Sequence, residues 1–260
     1  MKKLGQHFLI NQSAIQKIIA ALELKGGEIV IEIGAGHGEL TKPIIEICRK
    51  LGCKVVAIEK DPELGDRLKV LGFRGQVEII QGDALSFIKS NTYNLKPKTY
   101  KIVGNVPFYI TGRLLRNISE LKNKPELCVL TLQKEVALRI CAKPPKMNRL
   151  AAAVQFWAEP KIIGFISKKD FSPSPKVDSA IIKLGVRREV RGVMEEDYYR
   201  MVKILFQQPR KTVANNLTSG LKTDRLEIAK KLDKLGIFPN LRPQNLSVEQ
   251  IIKIGKEINI

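Results

Sequence analysis

Short apolar runs rich in Val and Ile alternate with stretches of helical spacing through the first half of this chain. Residues 11–23 carry Ile15, Ile18, Ile19 and Leu22 at helical intervals, with Asn11 or Ser13 as cap. Glu28–Ile33 reads as a strand, Leu40–Leu51 as a helix and Lys54–Ile58 as the next strand. Asp61-Pro62 opens a helix reaching about Leu71, with Asp as N-cap and Pro at the first helical position. Val77–Ile80, Tyr100–Val103 and Leu127–Leu132 are further strands. Apolar strands separated by helices predict an α/β fold with a mostly parallel sheet covered on both faces.

The pattern changes after Arg149. Residues 156–167 and 179–186 predict two long strands joined by Pro-rich Ser172-Pro-Ser-Pro-Lys, an antiparallel pair ending the sheet. From Val193 onward only helical periodicity remains, over 195–207, 210–221, 224–235 and 247–257. The charged stretch at 187–193 marks a boundary, giving a sheet domain over 1–188 and a small all-helical domain over 189–260.

Charge narrows the partner. Lys and Arg number 45 against 26 Asp and Glu, a formal net charge of +19. A charged thermophile-style surface raises Glu together with Lys, whereas an excess of one sign favours a polyanion through counterion release. Nucleic acid leads; no basic amphipathic anchor argues for a membrane. Cys48, Cys53, Cys128 and Cys141 form no CxxC pair, and with only His7 and His37 besides they offer no metal-site spacing. Dispersed cysteines indicate a reducing compartment. Leu4-Gly-Gln-His interrupts any apolar leader, and no run reaches the roughly 18 apolar residues of a span, so the expected location is the cytoplasm.

The first strand runs into Glu32-Ile-Gly34-Ala-Gly36-His-Gly38. Glycines at a strand-to-helix turn let a backbone approach a ligand closely. Position 39 is Glu where a dinucleotide fingerprint needs a small residue, and no Gly-Lys-Ser/Thr ending follows. The acidic-x-Gly-x-Gly-x-Gly pattern resembles the first motif of S-adenosylmethionine-dependent methyltransferases, whose ligand needs close approach and no phosphate cradle. The second strand ends in Glu59, placed to accept from ribose hydroxyls. The third ends in Gln81-Gly-Asp83, placed to accept from the amino group of an adenine, though a turn acid reads the same way.

The fourth strand delivers Asn105-Val106-Pro107-Phe108. The exocyclic amine of adenine is a poor nucleophile because its lone pair is delocalised into the ring. If the Asn105 side-chain oxygen and the Val106 carbonyl accept its two N–H bonds, the lone pair can turn toward an electrophilic methyl. Pro107 biases the residue before it toward extended geometry, which aims that carbonyl. Phe108 would stack on the base, worth roughly 1–3 kcal/mol, helping to offset unstacking of the nucleotide. Placement and fixed dipoles then carry the rate.

At this point nearly the whole chain resembles the rRNA adenine N(6)-dimethyltransferases, specifically the small-subunit branch. Leu4-Gly-Gln-His-Phe-Leu9, the glycine loop, Glu59, Gly82-Asp83 and Asn105–Phe108 follow the family's order. Leu132-Gln-Lys-Glu-Val-Ala137 and Phe171-Ser-Pro-Ser-Pro-Lys-Val-Asp-Ser-Ala180 are its more specific stretches. The resemblance implies a Rossmann-like methyltransferase domain, S-adenosylmethionine as donor with no metal, and two adjacent adenosines near the 3′ end of small-subunit rRNA as substrate. It implies an enzyme working as a monomer on the small ribosomal subunit precursor. By matched position His7, Leu9, Gly34, Gly36, Glu59, Asp83 and Asn105 contact the donor. Asn105, Val106, Pro107 and Phe108 act on the target base, and Phe171 flanks it. Arg210 and Lys211, in Phe206-Gln-Gln-Pro-Arg-Lys-Thr212, match a basic RNA-binding stretch in which Pro209 interrupts the usual cationic run. His7 stands where Asn is usual, and Phe108 where Tyr is common. A large-subunit resistance methylase, or a non-catalytic RNA-binding assembly factor on the same fold, are the alternatives.

Overall fold

The structure is a computed structural model that describes residues 6–70, 77–91, 100–187 and 194–258. The expected boundary residues 188–193, the helix end at Leu71 and the start of the N-terminal motif at Leu4 and Gly5 lie outside the described residues.

The chain divides into two compact units, one of Met1–Ala137 with Glu159–Val186, the other of Leu138–Ala158 with Arg187–Ile260. In chain order the first unit starts with strand β1 (Phe8–Leu9) and helix α1 (Gln12–Leu22). Then come β2 (Ile29–Ile33), α2 (Thr41–Leu51), β3 (Lys54–Glu59), α3 (Pro62–Val70), β4 (Val77–Gln81) and α4 (Ala84–Asn91). Next are β5 (Tyr100–Asn105), α5 (Thr111–Ser119), β6 (Leu127–Gln133) and α6 (Lys134–Ile140), the last running into the second unit. After α7 (Arg149–Trp157) the sheet resumes with β7 (Ala158–Ile166), β8 (Phe171–Ser172) and β9 (Ser179–Val186). The main sheet has the order β4-β3-β2-β5-β6-β9-β7. Strands β4 to β6 are parallel, and β9 is antiparallel to β6. β1 and β8 form a separate two-stranded ribbon that pairs Leu9 with Phe171.

This order places the ligand crevice. The chain leaves β2 toward β3 and β4, then returns to lay β5 on the other side of β2. Open α/β sheets bind ligands at the carboxyl ends of strands where the order reverses. Here that point lies between the Gly34 loop after β2 and Asn105 at the end of β5.

The helices start where their caps dictate. Asn11 accepts from the Ala14 amide at 2.9 Å, and Gly52, with φ +73°, closes α2. At the opposite end of β5 the buried Lys101 reaches Glu28 at 2.9 Å and the Glu23 carbonyl at 2.7 Å. The cation anchors the end of α1 beneath the sheet, away from the crevice. Removing either partner would strand a buried charge, a change that costs about 3–5 kcal/mol.

The second unit holds α7 together with α8 (Glu195–Leu205), α9 (Val213–Leu221), α10 (Arg225–Lys234) and α11 (Val248–Ile258). Two sequence expectations change here. Phe156 and Trp157 belong to a helix, not to the start of a strand, because Asn148 caps Leu150-Ala-Ala-Ala-Val from the Ala151 amide at 3.0 Å. A single cut at residue 188 also misses that Leu138–Ala158 joins the C-terminal helices. The physical reason is aromatic packing. The Phe156 ring stacks on Tyr198 at 3.9 Å, and the Tyr198 hydroxyl donates to the Ala152 carbonyl at 3.0 Å.

Candidate active site

The crevice is a cavity within the first unit, walled by the Gly34–Gly36 turn, the ends of β3 and β4, and residues 105–110. Gly34 and Gly36 have φ of +70° and +59°, so side chains there would be strained. A Cβ at Gly36 would also meet the Phe8 ring at 3.1 Å, so the N-terminal strand lies over the glycine turn. The Phe8 ring rests 4.3 Å from His37. His37 is thereby a packing residue of the loop.

Glu59 shapes that turn. Its carboxylate is buried and accepts from the Gly36 amide through one oxygen and from the Asp61 amide through the other, both at 2.9 Å. An ionised carboxylate has about four acceptor sites, so each oxygen keeps one for a ligand hydroxyl. Asp83 is divided differently. Oδ1 caps α4 by accepting from Leu85 at 2.9 Å and Ser86 at 3.2 Å, while Oδ2 faces Lys60 at 3.4 Å. Partial burial raises its pKa, but those two amides and Lys60 outweigh it and hold the carboxyl below its usual range.

Beneath the loop lies Glu32, fully buried, with Thr41 donating to it at 2.7 Å. Burial pushes its pKa up to about 8, opposed by Thr41 and reinforced by Glu39 and Glu59. The folded chain therefore keeps a proton here that the unfolded chain releases near 4.5. Its contribution to stability is full below that value and is lost as pH rises through about 8. We expect Glu32→Gln to flatten the profile by up to about 1.4 kcal/mol per pH unit in this window. Denaturant midpoints of both proteins across the window check this; parallel curves would refute a buried neutral Glu32.

Asn105 ends β5 with its amide fixed. Nδ2 donates to the His7 carbonyl at 2.7 Å, which leaves Oδ1 as the amide's acceptor. Val106 is buried, with its own amide donating to Thr131 at 3.3 Å. Among the described residues none donates to the Val106 carbonyl, whereas the Pro107 carbonyl is taken by Ile110 at 3.1 Å. Phe108 starts the 3-10 turn Phe108–Ile110, with its ring 6.2 Å from that of His7. A Cβ at Gly104 would come within 2.5 Å of the Ile33 carbonyl, so this glycine permits the close approach of β2 and β5 that brings Asn105 beside the loop.

Of the residues singled out in the sequence, His7, Gly34, Gly36, Glu59, Asp83, Asn105–Phe108 and Phe171 line this one cavity. The His7 side chain does not point its Nδ1 at a ligand: it donates to the Pro173 carbonyl at 2.7 Å. Leu9 is buried in the apolar core against α1 and does not line the cavity. Arg210 and Lys211 belong to the second unit, exposed on the turn before α9. Sequence reasoning missed the residue that shapes that turn. Asn216, buried in α9, accepts from the Gln208 amide at 3.1 Å and donates to the Gln208, Lys211 and Thr212 carbonyls. Its only signal was an amide among Val213, Ala214 and Leu217 on an apolar face. Arg113, Lys60 and Tyr109 also line the cavity unannounced.

A doubly wound sheet with a glycine turn, a strand-end carboxylate and an Asn-x-Pro-Phe corner defines a Rossmann-like nucleic-acid adenine methyltransferase. Residues 1–259 match the family model described as ribosomal RNA adenine dimethylase, and the chain belongs to that family. It is 38% identical over 260 residues to ribosomal RNA small subunit methyltransferase A of Dehalococcoides mccartyi strain CBDB1, covering 98% of this chain and 87% of that protein. The protein of the same name from Mycoplasma capricolum is 35% identical over 264 residues, covering 100% and 97%. Among solved structures, a dimethyladenosine transferase from Plasmodium falciparum aligns with a TM-score of 0.81 at 24% identity, over 97% of this chain and 98% of that one. The 23S rRNA methyltransferase ErmE aligns with a TM-score of 0.76 at 25% identity, over 97% and 100%.

Proposed function

We propose that this enzyme dimethylates N6 of two adjacent adenosines near the 3′ end of small-subunit rRNA, as a cytoplasmic monomer acting on a precursor of the small ribosomal subunit. The observation that carries the reading is the fixed Asn105 amide, whose Nδ2 is held by the His7 carbonyl and whose Oδ1 stays available beside the Val106 carbonyl. Identity of 35–38% to proteins named for the small subunit, against 25% to the 23S rRNA methyltransferase, supports the choice of RNA. Among the described residues no helix is long and apolar enough to cross a membrane.

S-adenosylmethionine supplies an electrophilic methyl on a sulfonium. The residues present fit it. The buried Glu59 carboxylate would repel a polyphosphate but has acceptor sites for two ribose hydroxyls, and the apolar Ile58 and Leu85 wall the cavity for an adenine face. Asp83 Oδ2 accepts from the adenine amino group, and the Gly34–Gly36 turn admits the remainder by close approach. At the other side Asn105 Oδ1 and the Val106 carbonyl accept both protons of the target amine, which frees its lone pair for attack. The ring of Phe108 stacks on the base, and Phe171, buried at the cavity wall, borders it from the ribbon. No strong base is required, because the proton is acidic only after the new N–C bond forms and passes to water. Arg210 and Lys211 take rRNA phosphates from the second unit. The test is incubation with labelled donor and either undermethylated ribosomal subunit, followed by nucleoside mass spectrometry. Dimethyladenosine in the small subunit alone is expected; label confined to the large subunit would overturn the choice of RNA.

A further inference from the structure

Two stretches singled out in the sequence have no part in the chemistry above: Leu132–Ala137 and the loop before β9. The structure joins them. Lys134, at the start of α6, donates its amide to the Asp178 carbonyl at 3.0 Å. Asp178 Oδ1 accepts from the Lys168 amide at 3.1 Å, and Ser174 Oγ donates to the Lys168 carbonyl at 2.7 Å. These bonds gather the end of β6, the end of β7 and the start of β9 at one place. Asn105 pairs with Thr131, two residues before Gln133, so this place is on the same sheet edge as the active site.

At its centre is Phe165, on the outermost strand and 55% exposed. The Lys134 ammonium sits over its ring at 5.1 Å from the centroid. Lys168, Lys169 and Lys176 are exposed on the chain between β7 and β9, and Val177 there is 44% exposed. The local aspartates are already engaged: Asp170 accepts from the Ser167 amide at 3.1 Å and from the Asn11 side-chain amide at 2.9 Å, and Asp178 from the Lys168 amide. Glu135 is the exposed acid adjoining Lys134, and the lysines outnumber it. An aromatic left half-exposed on an edge strand, with a cation on its face and exposed lysines on the adjoining turns, matches the elements that hold single-stranded nucleic acid.

We propose that Phe165 and Lys134 form a second stacking platform that holds an unpaired nucleotide flanking the target adenosine, with Lys168, Lys169 and Lys176 on its phosphates. The platform positions substrate and takes no part in methyl transfer. Phe171 connects the two places: it lines the active-site cavity one turn after β7, six residues beyond Phe165. The inference rests on the rRNA reading above. It adds a contact that selects single-stranded context outside the catalytic cavity.

The test uses the full chain, an unstructured adenosine-containing oligoribonucleotide and undermethylated small subunits. Phe165→Ala removes an exposed ring and leaves the core untouched. It should weaken oligonucleotide binding and raise KM for the subunit by about 10-fold, from stacking of roughly 1–3 kcal/mol per base. The turnover number and affinity for S-adenosylhomocysteine should stay at wild-type values. Phe165→Trp should restore binding, and its emission should be quenched by the oligonucleotide, because the native Trp157 is buried and gives a constant background. Phe165→Leu should not restore it. Unchanged oligonucleotide affinity of the Ala variant, or unquenched emission of the Trp variant, would overturn the platform. A KM effect on subunits without an effect on the oligonucleotide would assign the patch to a ribosomal protein and likewise overturn it. The emission readout does not depend on turnover, so failure of wild-type methylation would sink the proposed activity while leaving the stacking question decided.

Discussion

Asn105→Ala is expected to lower single-turnover methyl transfer by about 100-fold or more, in line with removal of one preorganised dipole from a reaction centre. Two effects combine. The variant loses the Oδ1 acceptor that would hold the target amine in its attacking orientation. It also loses the 2.7 Å bond from Nδ2 to the His7 carbonyl, which ties the N-terminal segment over the cavity. Saturating donor separates them, since a looser N-terminal segment lowers donor affinity but not the rate at saturation. RNA affinity should stay near wild type, because most of it comes from phosphate contacts that Asn105 does not make. Near-normal transfer at saturating donor would mean that the amine is oriented by other groups.

Glu59→Ala should reduce affinity for S-adenosylhomocysteine by about 100-fold or more and destabilise the chain by a few kcal/mol. The first effect follows from two ribose hydroxyls losing a charged acceptor, each bond being worth about 1.5–3 kcal/mol. The second follows from orphaning the Gly36 and Asp61 amides in a buried site. Glu59→Gln separates the roles. Its amide nitrogen cannot accept, so one of those backbone amides faces a donor and the turn must shift. If the Gln variant keeps wild-type donor affinity by calorimetry, the ribose contact lies elsewhere. If the Ala variant is as stable as wild type in denaturant, the carboxylate does not shape the turn. RNA binding measured in parallel should be unchanged in both.

The alternation of Val/Ile-rich runs with capped helices was enough to predict a parallel sheet, because burial on both faces demands mostly apolar residues in those strands. Asn11, Pro62 and Gly52 punctuate the chain as local chemistry requires. The glycine turn, Glu59, Asp83 and the Asn105–Phe108 corner were legible for a related reason. A strand end at a topological crevice is a fixed address, and each of these residues stands at one in sequence.

Other features had no local signal. Phe156 and Trp157 carry aromatic side chains that suit a strand or a buried helix equally, and the packing of Phe156 on Tyr198 ties their helix to the C-terminal helices. Leu9 looked like part of a donor-binding motif, yet its side chain is drawn into the core by pairing with Phe171, a partner 162 positions away in the chain. The His7 carbonyl that fixes Asn105, the Pro173 carbonyl that takes the His7 ring, and the Lys134–Phe165 pair all join distant segments. Local sequence therefore determined most of the elements, their order and the residues delivered to the sheet edge, since propensity, capping and hydrophobic period act over a few residues. The tertiary structure alone decided which atoms of those residues stay available to a ligand, because hydrogen bonds between remote segments consume the rest.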